Sequence, residues 1–411
     1  MTNSNLLIIG FVWPEPKSSA AGSRMLQLIA ELQKQGYAIT FATTANVTDN
    51  TFDLHSIGAK TEQILLNDSS FDDFVKELNP DMVVFDRFMT EEQFGWRVAE
   101  ECPNAIRILD TEDFHGLRKG RGEAFKKGIK FDLGHLQNEV TKREIASIYR
   151  CDLTLMISQA EIDILTENLG VNPSLLYYLP FLVTTTSFEE NSSLPSFEER
   201  QHFITIGNFL HPPNFDAVVY LKQEIWPIIR KKLPAAELHI YGAYESQKVT
   251  KLYDDKNGFL IKGFAEDVNV VMQSSRVCLA PLRFGAGLKG KLFDAMQNGT
   301  PCVMSTIAAE GIYEANENND YITDDPLSFA EAAVSLYSEK EFWTDAQQMG
   351  YNILSNKFNE DEHSEKFKTQ IKSLSNNLKS HRQQNFTGQV LMHHSLQSTK
   401  YMSKWIEEKN K

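Results

Sequence analysis

Short apolar runs and amphipathic stretches alternate along this chain in the manner of a βαβ fold. Leu6–Val12 is an apolar run of strand length and predicts a buried strand. Ala20–Gln35 carries Met25, Leu28, Ile29 and Leu32 at helical spacing and closes on Gly36, a helix stop. Tyr37–Thr43 predicts the next strand, and Asp81–Asp86 and Ala105–Asp110 are short apolar strands involving acids. Leu153–Ile157 is another, with Ser158 placed behind it to cap a helix. The first half of the chain therefore predicts a doubly wound parallel sheet.

Thr184–Arg200 interrupts this rhythm, and its Ser, Thr, Asn and Glu content reads as a polar linker. The alternation then restarts. His202–Ile206, Glu237–Tyr241, Gly258–Ile261, Val277–Ala280 and Pro301–Met304 predict strands, and Asp216–Lys232 predicts a helix. The expected fold class is α/β, with two Rossmann-like domains over residues 1–190 and 200–380. After Pro326 the pattern turns helical and polar. The last stretch, Val390–Lys409, carries Leu391, Leu396, Tyr401, Met402, Trp405 and Ile406. Such a helix needs a surface to cover, so residues 386–411 are expected to cross back and complete the first domain.

Composition narrows the function classes. A formal charge of -14 over 411 residues argues against a nucleic-acid binder. Cys102, Cys151, Cys278 and Cys302 form no CxxC or zinc spacing and read as reduced thiols of a cytoplasmic protein. The opening apolar run is too short to span a bilayer and lacks the basic start of a signal peptide. The expectation is a soluble protein, peripheral at most. One basic cluster stands against the acidic background. Arg118, Lys119, Arg121, Lys126, Lys127 and Lys130 face one acid, Glu123, within residues 117–130. It is a candidate contact for the inner membrane face or a phosphorylated acceptor, with a plain solvated face as the alternative.

The richest chemistry lies in residues 279–311. A strand there runs into a glycine loop holding Arg283, Gly285, Gly287, Lys289 and Lys291, then an amphipathic helix. Glycines let a backbone approach a ligand closely, and a helix N-terminus with basic side chains suits a diphosphate. Asp294 lies three residues after Lys291, on the same helix face, where a simple ion pair is the plain alternative. In the first half, Ile108-Leu-Asp-Thr-Glu-Asp-Phe-His-Gly-Leu-Arg118 begins at a strand's C-terminal end, where open α/β sheets place ligands.

Three segments together resemble the GT-B glycosyltransferases, closest to the retaining bacterial group 1 type of family four. These are Gly207-Asn-Phe-Leu-His-Pro-Pro-Asn-Phe-Asp-Ala217, then Ala280-Pro-Leu-Arg283 with Gly287, Lys291 and Asp294, and Gly299-Thr-Pro-Cys-Val303 with Ala309-Glu-Gly-Ile312. Trp13-Pro-Glu-Pro and Ala21-Gly-Ser-Arg24 resemble the family's first glycine loop. The resemblance implies two facing Rossmann-like domains and transfer of a sugar from a nucleotide-diphosphate donor to an acceptor hydroxyl. It assigns diphosphate contacts to Arg283 and Lys291 and ribose contact to Asp294. Gly207, Asn208, Gly263, Phe264, Gly285, Gly287, Lys289, Glu310 and Gly311 become candidate donor contacts. Asp110, Asp113, His115, Gly22 and Arg24 become candidates on the acceptor and sugar side, with helix-start roles as the alternative for Gly22 and Arg24. No metal or other cofactor is implied, because positive side chains supply the diphosphate charge. The family's usual acid eight positions before Asp294 is here Ala286. A sugar-nucleotide 2-epimerase and a non-catalytic nucleotide-sugar-binding scaffold remain the alternatives. A dinucleotide-dependent oxidoreductase is disfavoured, since Gly10…Gly22 lacks GxGxxG spacing.

Overall fold

The computed structural model describes residues 4–184, 194–313 and 319–410, with backbone only at 394–396. Residues 185–193 of the expected linker, and the side chain of Leu396, lie outside the described residues. Two parallel sheets organise the chain. In the first lobe, β1 (Ser4–Gly10), β2 (Tyr37–Thr43), β3 (Lys60–Gln63), β4 (Met82–Asp86), β5 (Ile106–Asp110), β6 (Leu153–Met156) and β7 (Leu176–Tyr178) pair in the order β3-β2-β1-β4-β5-β6-β7. In the second, β8 (Gln201–Ile206), β9 (Leu238–Tyr241), β10 (Phe259–Gly263), β11 (Ser275–Ala280) and β12 (Cys302–Met304) pair in the order β10-β9-β8-β11-β12.

The apolar runs are continuous because helices cover both faces of each sheet. In β1, Leu6 and Ile8 enter one core while Leu7 and Ile9 enter the other. In β11, Cys278 and Ala280 face one side and Val277 and Leu279 the other. Strands switch direction of progression beside β1 and β8, so their C-terminal ends open towards a crevice between the lobes.

The return to the first lobe starts earlier than residue 386. Helix Glu360–Gln384 already places Phe367, Ile371 and Leu374 in the first lobe's core. Arg382 anchors it, with Nε and an Nη of its guanidinium each 2.7 Å from the Asp152 carboxylate. Helix Phe386–Asn410 then packs along helices Arg87–Glu101 and Glu139–Arg150. Its seam differs from the expected one. Tyr401, Met402 and Trp405 are exposed, whereas Ser403 is buried. The buried Arg97 guanidinium draws this polar edge inward, donating to Ser403 Oγ at 3.0 Å and pairing with Glu407. Satisfying a buried guanidinium outweighs covering three apolar side chains. All four cysteines are free and buried. Among the described residues, no helix is long and apolar enough to cross a membrane.

Candidate active site between the lobes

The glycine loop leaves β11 and runs over Pro281–Lys289 into helix Gly290–Gln297. Gly285 (φ +147°) and Gly287 (φ +67°) take conformations that disfavour other residues. At Gly287 a Cβ would also lie 2.8 Å from Asp113 Cβ of the first lobe. The loop is thus pressed against the opposite lobe. Gly287 N donates to Glu161 Oε1 at 2.5 Å. Lys289 is buried and curls back onto its own loop, donating to the carbonyls of Ala286 (3.1 Å) and Gly287. Burial lowers its pKa, against the pull of Glu310 and Glu161. In this arrangement Lys289 braces the loop instead of offering its ammonium to a donor.

Lys291 sits on the first turn of the helix and donates to Asn214 Oδ1 at 3.1 Å. Asn214 Nδ2 in turn donates to Asn208 O at 3.0 Å. Gly207 passes beneath this amide, where a Cβ would stand 2.7 Å from it. The Gly207–Asn214 turn and the helix N-terminus therefore form one corner. Burial pushes Lys291 down to about 8. Burial also pushes Asp294 up to about 7, with Lys291 opposing. The pair has a readily changed charge. Arg283 is bidentate to Asp216 at 2.9 and 2.6 Å and lies between the rings of Phe125 and Tyr220. Its side chain is 35% exposed, more open than Lys289 or Lys291. Gly263 (φ +75°) closes β10, its carbonyl accepting from Gly242 N at 2.8 Å, and half-buried Phe264 follows it.

The first lobe answers with buried charge at the C-terminal ends of β4 and β5. Arg87 (φ +71°) and Glu112 (φ +66°) hold left-handed backbone there. Asp110 is fully buried, and burial pushes it up to about 6 against the pull of Arg24. Arg24 is itself fully buried, its Nη1 donating to Pro180 O at 2.8 Å and its Nη2 4.0 Å from Asp110. It serves the lobe interior, where an acceptor contact was expected. Gly22 likewise belongs to the helix start. Ser19 Oγ caps its amide at 3.1 Å, and a Cβ would collide with Glu15 backbone at 2.4 Å.

Asp113 and His115 do come together. His115 Nδ1 is 3.1 Å from Asp113 Oδ1 and 3.6 Å from Glu144. Burial opposes charge on His115, but Asp113 and Glu144 outweigh it and raise the pKa. Asp113 also accepts from Arg118 at 2.7 Å, and its pKa is lowered despite burial. Glu144 accepts from the amides of His115 and Gly116 at 3.2 and 3.0 Å, capping the helix from outside its own segment.

The basic cluster divides in two. Helix His115–Lys126 turns Arg118 and Arg121 into the crevice, while Lys119, Lys126, Lys127 and Lys130 stay exposed. Arg121 crosses the gap to Glu310 with two bonds of 2.8 and 2.6 Å and to Gly285 O at 3.0 Å. Thus Glu310 meets a first-lobe arginine. Gly311 (φ +82°) beside it packs against Ser158, where a Cβ would lie 2.9 Å from Oγ. Phe125 stacks on Phe284 at 4.8 Å, and Tyr244 donates to Glu15 at 2.7 Å. The lobes meet closed around the glycine loop.

Sequence reading missed Glu161, Arg121 as a crevice residue, Asp216, Asn214 and His211. Ser158-Gln-Ala-Glu161 has capping-box spacing, which is the one local signal for Glu161. Ser158 makes no side-chain cap bond, however. Glu161 instead accepts from Phe114 N at 2.9 Å and from Gly287 across the gap. Burial raises it to about 7. His211 caps no helix by its side chain. Burial, then Arg118, push it down to about 4, so it is neutral beside these charges.

Residues 200–339 match the family model for glycosyl transferases group 1. The matched span contains the glycine loop and Lys291. The two facing lobes have known counterparts as well. A sucrose-phosphate synthase from Thermosynechococcus elongatus aligns with a TM-score of 0.68 at 14% identity, over 90% of this chain and 99% of that one. HepE of Anabaena, solved with UDP and glucose, aligns with a TM-score of 0.67 at 12% identity, over 90% and 99%. The fold is GT-B. A curated relative, an uncharacterized 44.6 kDa protein in the cps region of Klebsiella pneumoniae, is 26% identical over 137 residues, 32% of this chain. The match spans about a third of that relative, 35% of its length.

Proposed function

We propose that this chain is a retaining glycosyltransferase that moves a sugar from a nucleotide-diphosphate donor to an acceptor hydroxyl in the crevice. The observation that carries the reading is the meeting of the glycine loop with first-lobe charge, Gly285 O on Arg121 and Gly287 N on Glu161, next to Lys291 at the start of the following helix. Lys291, the helix N-terminus and Arg283, once Arg283 exchanges Asp216 for phosphate, neutralise the departing diphosphate. Asp294 takes the ribose hydroxyls. Asp113 and His115 position the acceptor or the transferred sugar. The leaving phosphate oxygen accepts the acceptor's proton, so positioning and electrostatics supply most of the rate. The lobes part to admit substrates and close to exclude water. A saccharide or lipid-linked acceptor in polysaccharide or glycoconjugate synthesis fits this reading. The exposed lysines 119, 126, 127 and 130 are then the part of the basic helix free to meet an anionic surface.

The test is a screen of labelled nucleotide-sugars, UDP-sugars first because the Anabaena neighbour holds UDP, with an acceptor extract. Lys291→Ala is expected to lower kcat/KM by about 10²–10³ with the far-UV spectrum unchanged. Undiminished transfer by this variant overturns the site. An epimer formed from donor alone indicates epimerase chemistry, and nucleotide binding without turnover indicates a scaffold. Retention at the anomeric carbon is read from the product by NMR.

A further inference from the structure

Far from the crevice, at the N-terminal ends of the second lobe's strands, three metal-ligating side chains converge. His202 is the second residue of β8, Glu237 immediately precedes β9, and His239 is the second residue of β9. One ligand atom from each lies within 4.8 Å of the others. Glu237 Oε2 is 2.8 Å from His239 Nε2 and 3.5 Å from His202 Nδ1. Ligands about 2.0–2.1 Å from a tetrahedral zinc stand about 3.4 Å apart, so small side-chain rotations reach that geometry. All three side chains are part-exposed, which leaves room for water as a fourth ligand.

A second observation concerns the backbone. His202 has φ +61° inside a strand, a left-handed conformation that a non-glycine residue adopts at a cost. The imidazole of His202 lies over that of His239, with centroids 4.1 Å apart and planes at 24°. An ordinary histidine–glutamate hydrogen bond, already made by His239, does not require this bend. Lys262 is one neighbouring cation. Arg276, the other neighbouring cation, is engaged with the carbonyls of Arg200 (2.6 Å) and Tyr337 (3.1 Å).

We propose that His202, His239 and Glu237 form a site for a divalent transition metal of the zinc class. Two imidazoles and one carboxylate favour zinc, nickel or copper over magnesium or calcium. The ion would tie the start of β8 to the start of β9. It would be structural, at the opposite end of the sheet from the donor loop, and this proposal does not rest on sugar transfer.

The full-length chain, stripped with EDTA, is titrated with ZnCl2 by calorimetry and with CoCl2 by visible absorption. One zinc per chain is expected, together with a raised melting temperature that magnesium does not produce. His202→Ala, His239→Ala and Glu237→Gln should each weaken zinc binding at least about tenfold. X-ray absorption of the zinc-loaded wild type, expected to show imidazole ligation, keeps the test open if a variant fails to fold. Zinc affinity unchanged in the variants, no binding by the wild type, or ligation by oxygen alone would each overturn the proposal.

Discussion

The two lobes face one another with opposite kinds of site. The first sets side-chain charges against opposite charge or amides: buried Arg24 4.0 Å from buried Asp110, half-buried Arg118 on Asp113, and Glu144 on two helix amides. The second presents a glycine-bent backbone, with Lys291 and Asp294 held near the pH at which their charge changes. Burying an unpaired charge costs several kcal/mol, so the first lobe's side chains must find partners within the fold. In the second lobe Lys291 has a neutral amide, Asn214 Oδ1, as its partner. On the proposed reading the first lobe positions substrates and the second answers the donor's charge, while buried Asp110 and Glu161 of the first lobe are themselves pushed up to about 6 and about 7. Glu161 joins them, since its carboxylate belongs to the first lobe and its partner amide to the second.

Breaking the contrast at its junction should have the largest effect. Gly287→Ala forces a left-handed alanine whose Cβ meets Asp113, a strain of about 1–3 kcal/mol that also disturbs the Glu161 bond. Transfer is expected to fall more than about tenfold at unchanged far-UV circular dichroism. Activity near wild type would show that the loop does not need this close approach.

The charge-responsive side is sharpened by pH. Lys291 carries its charge below a pKa of about 8. Nucleoside-diphosphate affinity should therefore weaken as pH rises from about 7 to about 9, by up to about tenfold. Lys291→Arg, which stays charged throughout, should flatten that dependence in calorimetry. A bound diphosphate favours the protonated form, so the midpoint in the complex is expected above that of the free protein.

A smaller effect is expected from loosening the contact between lobes. Arg121→Ala removes the bidentate pair with Glu310, a partly exposed interaction expected to be worth about 1 kcal/mol to closure. KM should rise by a few fold with kcat nearly constant, and small-angle scattering should show a larger radius of gyration. An unchanged scattering profile would mean that apolar contacts such as Phe125 on Phe284 hold the lobes without it.

Most strands and the order of the two lobes were legible in the sequence, because short apolar runs and helical spacing are local signals. The motif positions Gly207, Gly287, Lys291 and Asp294 were legible too, as spacings within one strand–loop–helix unit. Arg283 and Lys289 were visible as cations, but not their partners. Asp216 lies 67 positions from Arg283, and Lys289 folds back on carbonyls that a sequence does not aim. Arg121 meets Glu310 across 189 positions, and Glu161 meets Gly287 across 126. In the tail, Tyr401, Met402 and Trp405 stood out as apolar but stay exposed, since the buried Arg97 that attracts Ser403 comes from a distant helix.

The sequence by itself determined where backbone must bend, where strands are buried on both faces, and which residues can carry charge. Those properties depend on each residue and its near neighbours. The tertiary structure alone decided which charges are neutralised, which are pushed across their usual pKa, and which lobe each one serves. Coulomb energy and hydrogen bonding depend on distance in space, and separation along the chain does not report it.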